Sequence, residues 1–218
     1  MLIHRYRQVG IFFLAGIAML AGGSVFAAET DTPGYYFEKE PYIHPRIIED
    51  LTSWISDSGE QVVAVNLVES MGTNRYYGDI KVREKTPPLI YYENRDGCEQ
   101  PDCTTGYPVF GYRLIGRSSS GIYVLFTESS GGGTGSFRNL LFASVEKDKG
   151  LSYAAGNHTL RLDRARWIIK KLGEIPLGDR YEGALTVKGD VLHIGKNKNS
   201  HSAELFNVDT EIKIESLR

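Results

Sequence analysis

The chain has 218 residues, of which 25 are basic and 27 acidic, for a formal net charge of −2. That balance argues against a nucleic-acid partner, because phosphate binding needs a clustered basic surface. Past the first 27 residues no apolar run is long enough to cross a bilayer, so no transmembrane segment is expected there.

Residues 1–27 read as a signal peptide. His4, Arg5 and Arg7 make a basic start, and the apolar run from Val9 to Leu20 is shorter than the roughly 20 residues of a membrane span. Val25 and Ala27 supply the small residues ahead of a cut between Ala27 and Ala28, and no cysteine follows to take a lipid anchor. The protein is therefore expected in the periplasm or secreted. Removing the leader takes away two arginines and no acid, leaving 23 basic and 27 acidic residues, net −4. The remainder, 28–218, is long enough for one well-cored domain, and we read it as one.

Residues 28–44 are expected to be a flexible N-terminal lead, with Pro33 and Gly34 among polar and aromatic neighbours. Residues 45–57 predict a helix, because Ile47, Ile48, Leu51, Trp54 and Ile55 recur at three- and four-residue spacing. Pro45 suits the first helical position, Glu49 and Asp50 suit the positive end of the dipole, and Gly59 lies past the last turn. Strand signals then dominate, over 61–68, 76–82, 89–92, 109–115, 121–127 and 139–145, separated by glycine, serine or proline punctuation. Residues 160–172 fit helix and strand equally: Leu162, Ala165, Ile168, Ile169 and Leu172 have helical spacing, while Trp167, Ile168 and Ile169 suit a strand. Residues 185–194 are a hairpin around Gly189-Asp190, 197–202 read as a mobile loop, and 211–214 add a last strand. These elements predict a mainly β (α+β) fold, an antiparallel meander or sandwich with one N-terminal amphipathic helix.

The two cysteines, Cys98 and Cys103, lie in the polar stretch 94–103 and are expected to form a disulfide in an oxidising compartment. So short a loop constrains the unfolded chain by only about 2 kcal/mol, so the expected role is to stiffen a surface loop. A redox or metal role would want Cys-x-x-Cys or further ligands. The histidines His44, His158, His193 and His201 have no metal spacing, and no metal or cofactor is expected.

No catalytic constellation is visible. Ser118, Ser119 and Ser120 lack a Gly-x-Ser-x-Gly elbow, and the glycine-rich stretch Gly131-Gly132-Gly133-Thr134-Gly135-Ser136 has neither a following lysine nor a following helix, so it reads as a connection between strands. Such a loop can still present Thr134 and Ser136 to a partner. Glu128 with Asp179 or Glu182 is a conceivable carboxylate pair for glycoside hydrolysis. Asn157-His158-Thr159 fits the N-glycosylation triplet by composition.

Two resemblances follow. The strand residues Val124-Leu125-Phe126, then Gly131 to Phe137, then Leu140-Leu141-Phe142, with Leu177-Gly178-Asp179-Arg180 further on, resemble a group of small exported bacterial proteins of uncharacterised function. These carry a GGGSGTF-like turn and an LGDR-like segment before a final hairpin. The likeness covers roughly 121–194, leaves everything up to Ser120 outside, and implies compartment and fold type but no activity. Ser120-Gly121-Ile122-Tyr123 is similar to the SGxY loop of some periplasmic lysozyme inhibitors, which implies a serine and a tyrosine entering an enzyme's cleft. The expectation is an exported, non-enzymatic protein that binds a protein or an envelope glycan through Thr134, Ser136, Ser120 and Tyr123. The alternatives are a periplasmic hydrolase, an inhibitor of this kind or a purely structural envelope component.

Overall fold

The computed structural model of the protein describes residues 34–52, 61–71, 76, 78–83, 86–94, 107–198 and 206–215. The expected signal peptide with its cleavage point, Trp54, Ile55 and Gly59 of the predicted helix, the expected Cys98–Cys103 disulfide and His201 lie outside the described residues. The elements in chain order are α1 (Pro45–Leu51), β1 (Ala64–Asn66), α2 (Leu67–Ser70), β2 (Lys81–Arg83), β3 (Leu89–Glu93), β4 (Val109–Arg117), β5 (Tyr123–Ser130), β6 (Phe137–Ala154), β7 (Thr159–Asp179), β8 (Leu185–Lys188), β9 (Val191–Ile194) and β10 (Thr210–Lys213).

The fold is mainly β. Strands β2 to β7 run as an antiparallel meander, and β1 returns to pair with β7, giving a seven-stranded sheet of order β1-β7-β6-β5-β4-β3-β2. A three-stranded sheet, β10-β9-β8, packs on one face of it. The other face carries α1 and the preceding segment. The central strand β5 is therefore covered on both sides. Residues 123–127 are all buried, with Leu125 facing the helix side and Val124 and Phe126 facing the small sheet. Each such aliphatic side chain contributes roughly 1.5–3 kcal/mol on burial.

Close approach of the two sheets depends on Gly116 of β4, where an added Cβ would lie 2.7 Å from Cβ of Val187 on β8. A tether at the edge of the same contact joins the β4–β5 turn to the β8–β9 turn: Ser119 donates its backbone N–H to Asp190 Oδ1 at 2.9 Å, and its hydroxyl bonds Oδ2.

Several elements depart from the sequence reading. Residues 34–44, expected as a flexible lead, are packed: Phe37, Ile43 and His44 are buried, and Tyr112 donates its hydroxyl to the Ile43 carbonyl at 2.7 Å. Helix α1 ends at Leu51 with Thr52 as its C-cap, so Glu49 and Asp50 fall in its last turn rather than at the positive end; Pro45 does occupy the first position. The N-cap is His44, whose Nδ1 accepts from the Arg46 N–H at 3.1 Å. Residues 61–68 split into β1 and α2 because the Asn66 side chain accepts from the N–H groups of Val68 and Glu69, starting a helix where a strand was expected. The strand predicted over 76–82 shrinks to β2. The ambiguous 160–172 is strand. In the predicted mobile loop, Asn197 is buried and accepts from the Glu182 N–H at 3.1 Å.

Strand β6 runs far past the strand expected over 139–145 and pairs with β7 as one long hairpin. Three bulges, between Arg138 and Asn139, Phe142 and Ala143, and Gly150 and Leu151, each place one extra residue on β7. These account for its 21 residues against the 18 of β6. Bulges bend and twist a ribbon. Pairing of β5 with β6 stops at Ala143 and pairing of β1 with β7 stops at Ile168, so the outer hairpin leaves the sheet as a two-stranded arm. No helix among the described residues is long and apolar enough to cross a membrane.

Candidate functional site

Residues 131–136 connect β5 to β6, as a left-handed glycine turn between strands should, with Gly132 at φ 85°. The end of β7 clamps this loop. Ser136 donates its N–H to Asp179 Oδ1 at 2.8 Å and its hydroxyl to Glu128 Oε1 at 3.0 Å. Arg180 donates its backbone N–H to the Ser136 carbonyl at 2.8 Å, and its guanidinium reaches the Thr134 carbonyl, 3.1 Å from Nε. Arg138 pairs with Glu128 at 3.3 Å and bonds the Tyr181 carbonyl. The glycine stretch and the Leu177-Gly178-Asp179-Arg180 stretch, forty residues apart in sequence, are thus one structural unit.

Four of the residues singled out in the sequence meet here: Glu128, Thr134, Ser136 and Asp179. Both carboxylates bind the same serine, Glu128 through its hydroxyl and Asp179 through its N–H. Glu182 stands apart from this network in the bonds it makes, its backbone N–H going to Asn197.

Ser120 and Tyr123 do not meet the loop. They lie at the opposite end of β5, roughly 25 Å away at about 3.4 Å per residue. Tyr123 is only 7% exposed and its ring packs on Phe37, 4.7 Å between centroids. It is a core residue, which runs against its expected part in partner contact: two-residue alternation along β5 turns it inward to the helix side. The hydroxyls of Ser118 and Ser120 bond each other at 2.8 Å, and Ser118 also accepts from the Ile122 N–H. The serine cluster builds a turn.

Two concavities flank the glycine loop. On the small-sheet side a groove runs along the strand ends as two adjoining hollows of about 260 and 250 Å³, sharing Leu89 and Glu128. One contains Arg83, Tyr91, Thr134 and Ser136; the other contains Arg113 and Arg138. Arg113 stacks on the Phe126 ring, 4.4 Å from guanidinium carbon to centroid.

The helix side holds the larger cavity, about 500 Å³. Tyr92, Phe110 and Phe137 supply aromatic wall, and Glu49, Asn139 and Glu174 are among the polar groups on it. Burial pushes the Glu49 carboxyl above its ordinary range, against the opposing pull of the Tyr92 hydroxyl that donates to it and of Arg46. Burial, followed by the adjacent carboxylate, raises the Tyr92 phenol. On the far wall Glu174 is ion-paired with Lys171 at 2.7 Å, both side chains 9% exposed. An apolar cavity of this size with a few convergent polar groups and a shifted carboxyl is the usual form of a small-ligand site.

Sequence reasoning missed this cavity. Its wall comes from α1, β3, β4, β5, β6 and β7, and the sequence offers Glu49 only a helix-dipole role. No cluster of three or more histidine, cysteine or acidic side chains among the described residues is arranged to hold a metal ion. No family model matches the chain, and neither a curated protein nor a solved structure matches it.

Proposed function

We propose that the protein is an exported, non-enzymatic binding protein that takes a segment of envelope glycan into the helix-side cavity, with the glycine loop forming its mouth. The observation carrying this reading is the make-up of the 500 Å³ cavity, which sets aromatic surface from Tyr92, Phe110 and Phe137 beside carboxylate and amide groups, next to Ser130 and Gly131 where the loop begins. Sugar rings present apolar C–H faces and hydroxyl rims, which such a wall matches.

Isothermal titration of the leader-free protein with oligosaccharides released from cell-wall glycan tests it. Binding is expected, weakened at least tenfold by Phe137→Ala and by Asn139→Ala, and several-fold by Ser136→Ala, which removes one of the clamps on the loop. Absence of binding, or binding indifferent to Phe137 and Asn139, overturns it.

A second reading is favoured by one observation. Glu49, with its carboxyl held protonated to higher pH, and Glu174, held in an ion pair, line the same cavity. A general acid and a second carboxylate are what glycoside hydrolysis needs. Release of new reducing ends from the same oligosaccharides, abolished in Glu49→Gln, would replace the binding reading by this one.

A further inference from the structure

We propose that the β6–β7 arm docks the protein onto an anionic lipid surface, its tip entering the interface and its neck contacting headgroups. The inference stands independently of the cavity. Beyond Ala143 on β6 and Ile168 on β7 the hairpin has no neighbouring strand among the described residues, and it continues to a turn at 155–158. From Glu146 to Ala154 it extends roughly 27 Å at about 3.3 Å per residue.

The tip is apolar on one face. Leu151 pairs across the ribbon with Leu162, and Tyr153 with Leu160. Residues two apart on a strand and directly opposite across it share a face, so these four side chains form one patch. They are 59, 63, 60 and 64% exposed, in the order just given, among the most exposed large apolar groups of the protein. Nothing in the folding of the body calls for them there.

The next rungs down the same face carry Lys149 opposite Ala165 and Lys147 opposite Trp167. Residues 146–167 hold five basic side chains, Lys147, Lys149, Arg161, Arg164 and Arg166, against three acidic ones, Glu146, Asp148 and Asp163. The arm is thus locally +2 in a chain of net −2. An apolar tip followed by a basic neck is the order met on moving from acyl chains to anionic headgroups, and long lysine stems reach the headgroup layer while their chains stay in contact with apolar surface.

A second copy of the chain is the weaker occupant. Four side chains at this exposure offer on the order of 400 Å², about half of what each partner contributes to a standard interface. A membrane needs no such area, because the apolar and charge contributions act together.

Flotation with vesicles tests the assignment. The protein is expected to float with phosphatidylcholine vesicles containing phosphatidylglycerol and not with pure phosphatidylcholine, and raising the salt should release it. Leu160→Asp and Lys149→Glu should each reduce flotation at least fivefold while leaving the thermal transition unmoved, since neither residue belongs to the core. Tyr153→Trp adds a reporter at the tip, whose emission should shift to the blue on vesicles and be quenched by lipids brominated in the acyl chain. Failure to float on anionic vesicles, flotation unaffected by Leu160→Asp, or a tip tryptophan that stays in water overturns the proposal. So does a concentration-dependent dimer, lost in Leu160→Asp, in a protein that ignores vesicles.

Discussion

Glu49 loses water on folding, and what it gains from the Tyr92 hydroxyl and from Arg46 does not make up the loss, so its proton is held to higher pH than in the unfolded chain. The unfolded chain releases this proton near the ordinary value of 4.5 and the native state only above it. Between the two the native state binds more protons, and the contribution of Glu49 to stability, complete below 4.5, declines as pH rises through the window. Glu49→Gln keeps an acceptor for Tyr92 and has no charge to bury. It is therefore expected to raise the melting temperature at pH 8 by about 2–4 °C, the shift for about 1 kcal/mol in a domain of this size, and to leave it unchanged below pH 4. Melting curves at the two pH values check this. His44 pulls the opposite way: burial lowers its pKa, so acidification below the unfolded value of 6.5 costs stability. With Nδ1 accepting from Arg46, the neutral ring places its proton on Nε2, facing the Gly78 carbonyl at 3.4 Å.

The pairing of β4 with the small sheet turns on a missing side chain. Gly116→Ala puts a methyl against the Cβ of Val187 at less than the closest normal approach, so the three-stranded sheet must move outward. Urea unfolding of this variant is expected to show a loss of about 1–3 kcal/mol with an unchanged denaturant slope. Elements made by local chemistry were legible: β3, β4, the 185–194 hairpin and the last strand follow from alternation and turn residues. Strand β7 was not, and its bulges explain why. Asp163, Leu172 and Leu177 are the extra residues, and the first sets Leu162 and Ala165, which share a face, three positions apart, a spacing that with Ile168, Ile169 and Leu172 imitates a helix. The α2 start was readable in principle, since Asn66 stands three residues before Glu69. At the candidate site the glycine loop was legible as a strand connection, whereas the Asp179 and Arg180 clamp joins residues more than forty positions apart and leaves no local pattern. The cavity behind it draws its wall from six elements, none unusual by itself.

The molecule has two apolar clusters separated by a single sheet, one around Leu125, Leu141 and α1, the other around Val124, Leu140 and Leu192. Because β5 and β6 contribute alternate residues to both, loss of either cluster strips one face of the same strands. Leu125→Ala and Leu192→Ala, one in each, are each expected to cost about 2–5 kcal/mol and to lower one shared calorimetric transition without splitting it. Two separated peaks would mean that the small sheet melts alone. The outline of the large sheet has a further effect. Its outermost strands, β1 and β2, are three residues each, and β7, which extends well past β1, carries Pro176 and two bulges, at Leu172 and Leu177, along that flank. A strand without an N–H at one position and with its ladder repeatedly interrupted is a poor template for an incoming chain. Fibril growth by edge addition is thereby obstructed in the body of the protein, and Pro176→Val removes one of these guards, which would register as faster thioflavin-positive aggregation on prolonged incubation.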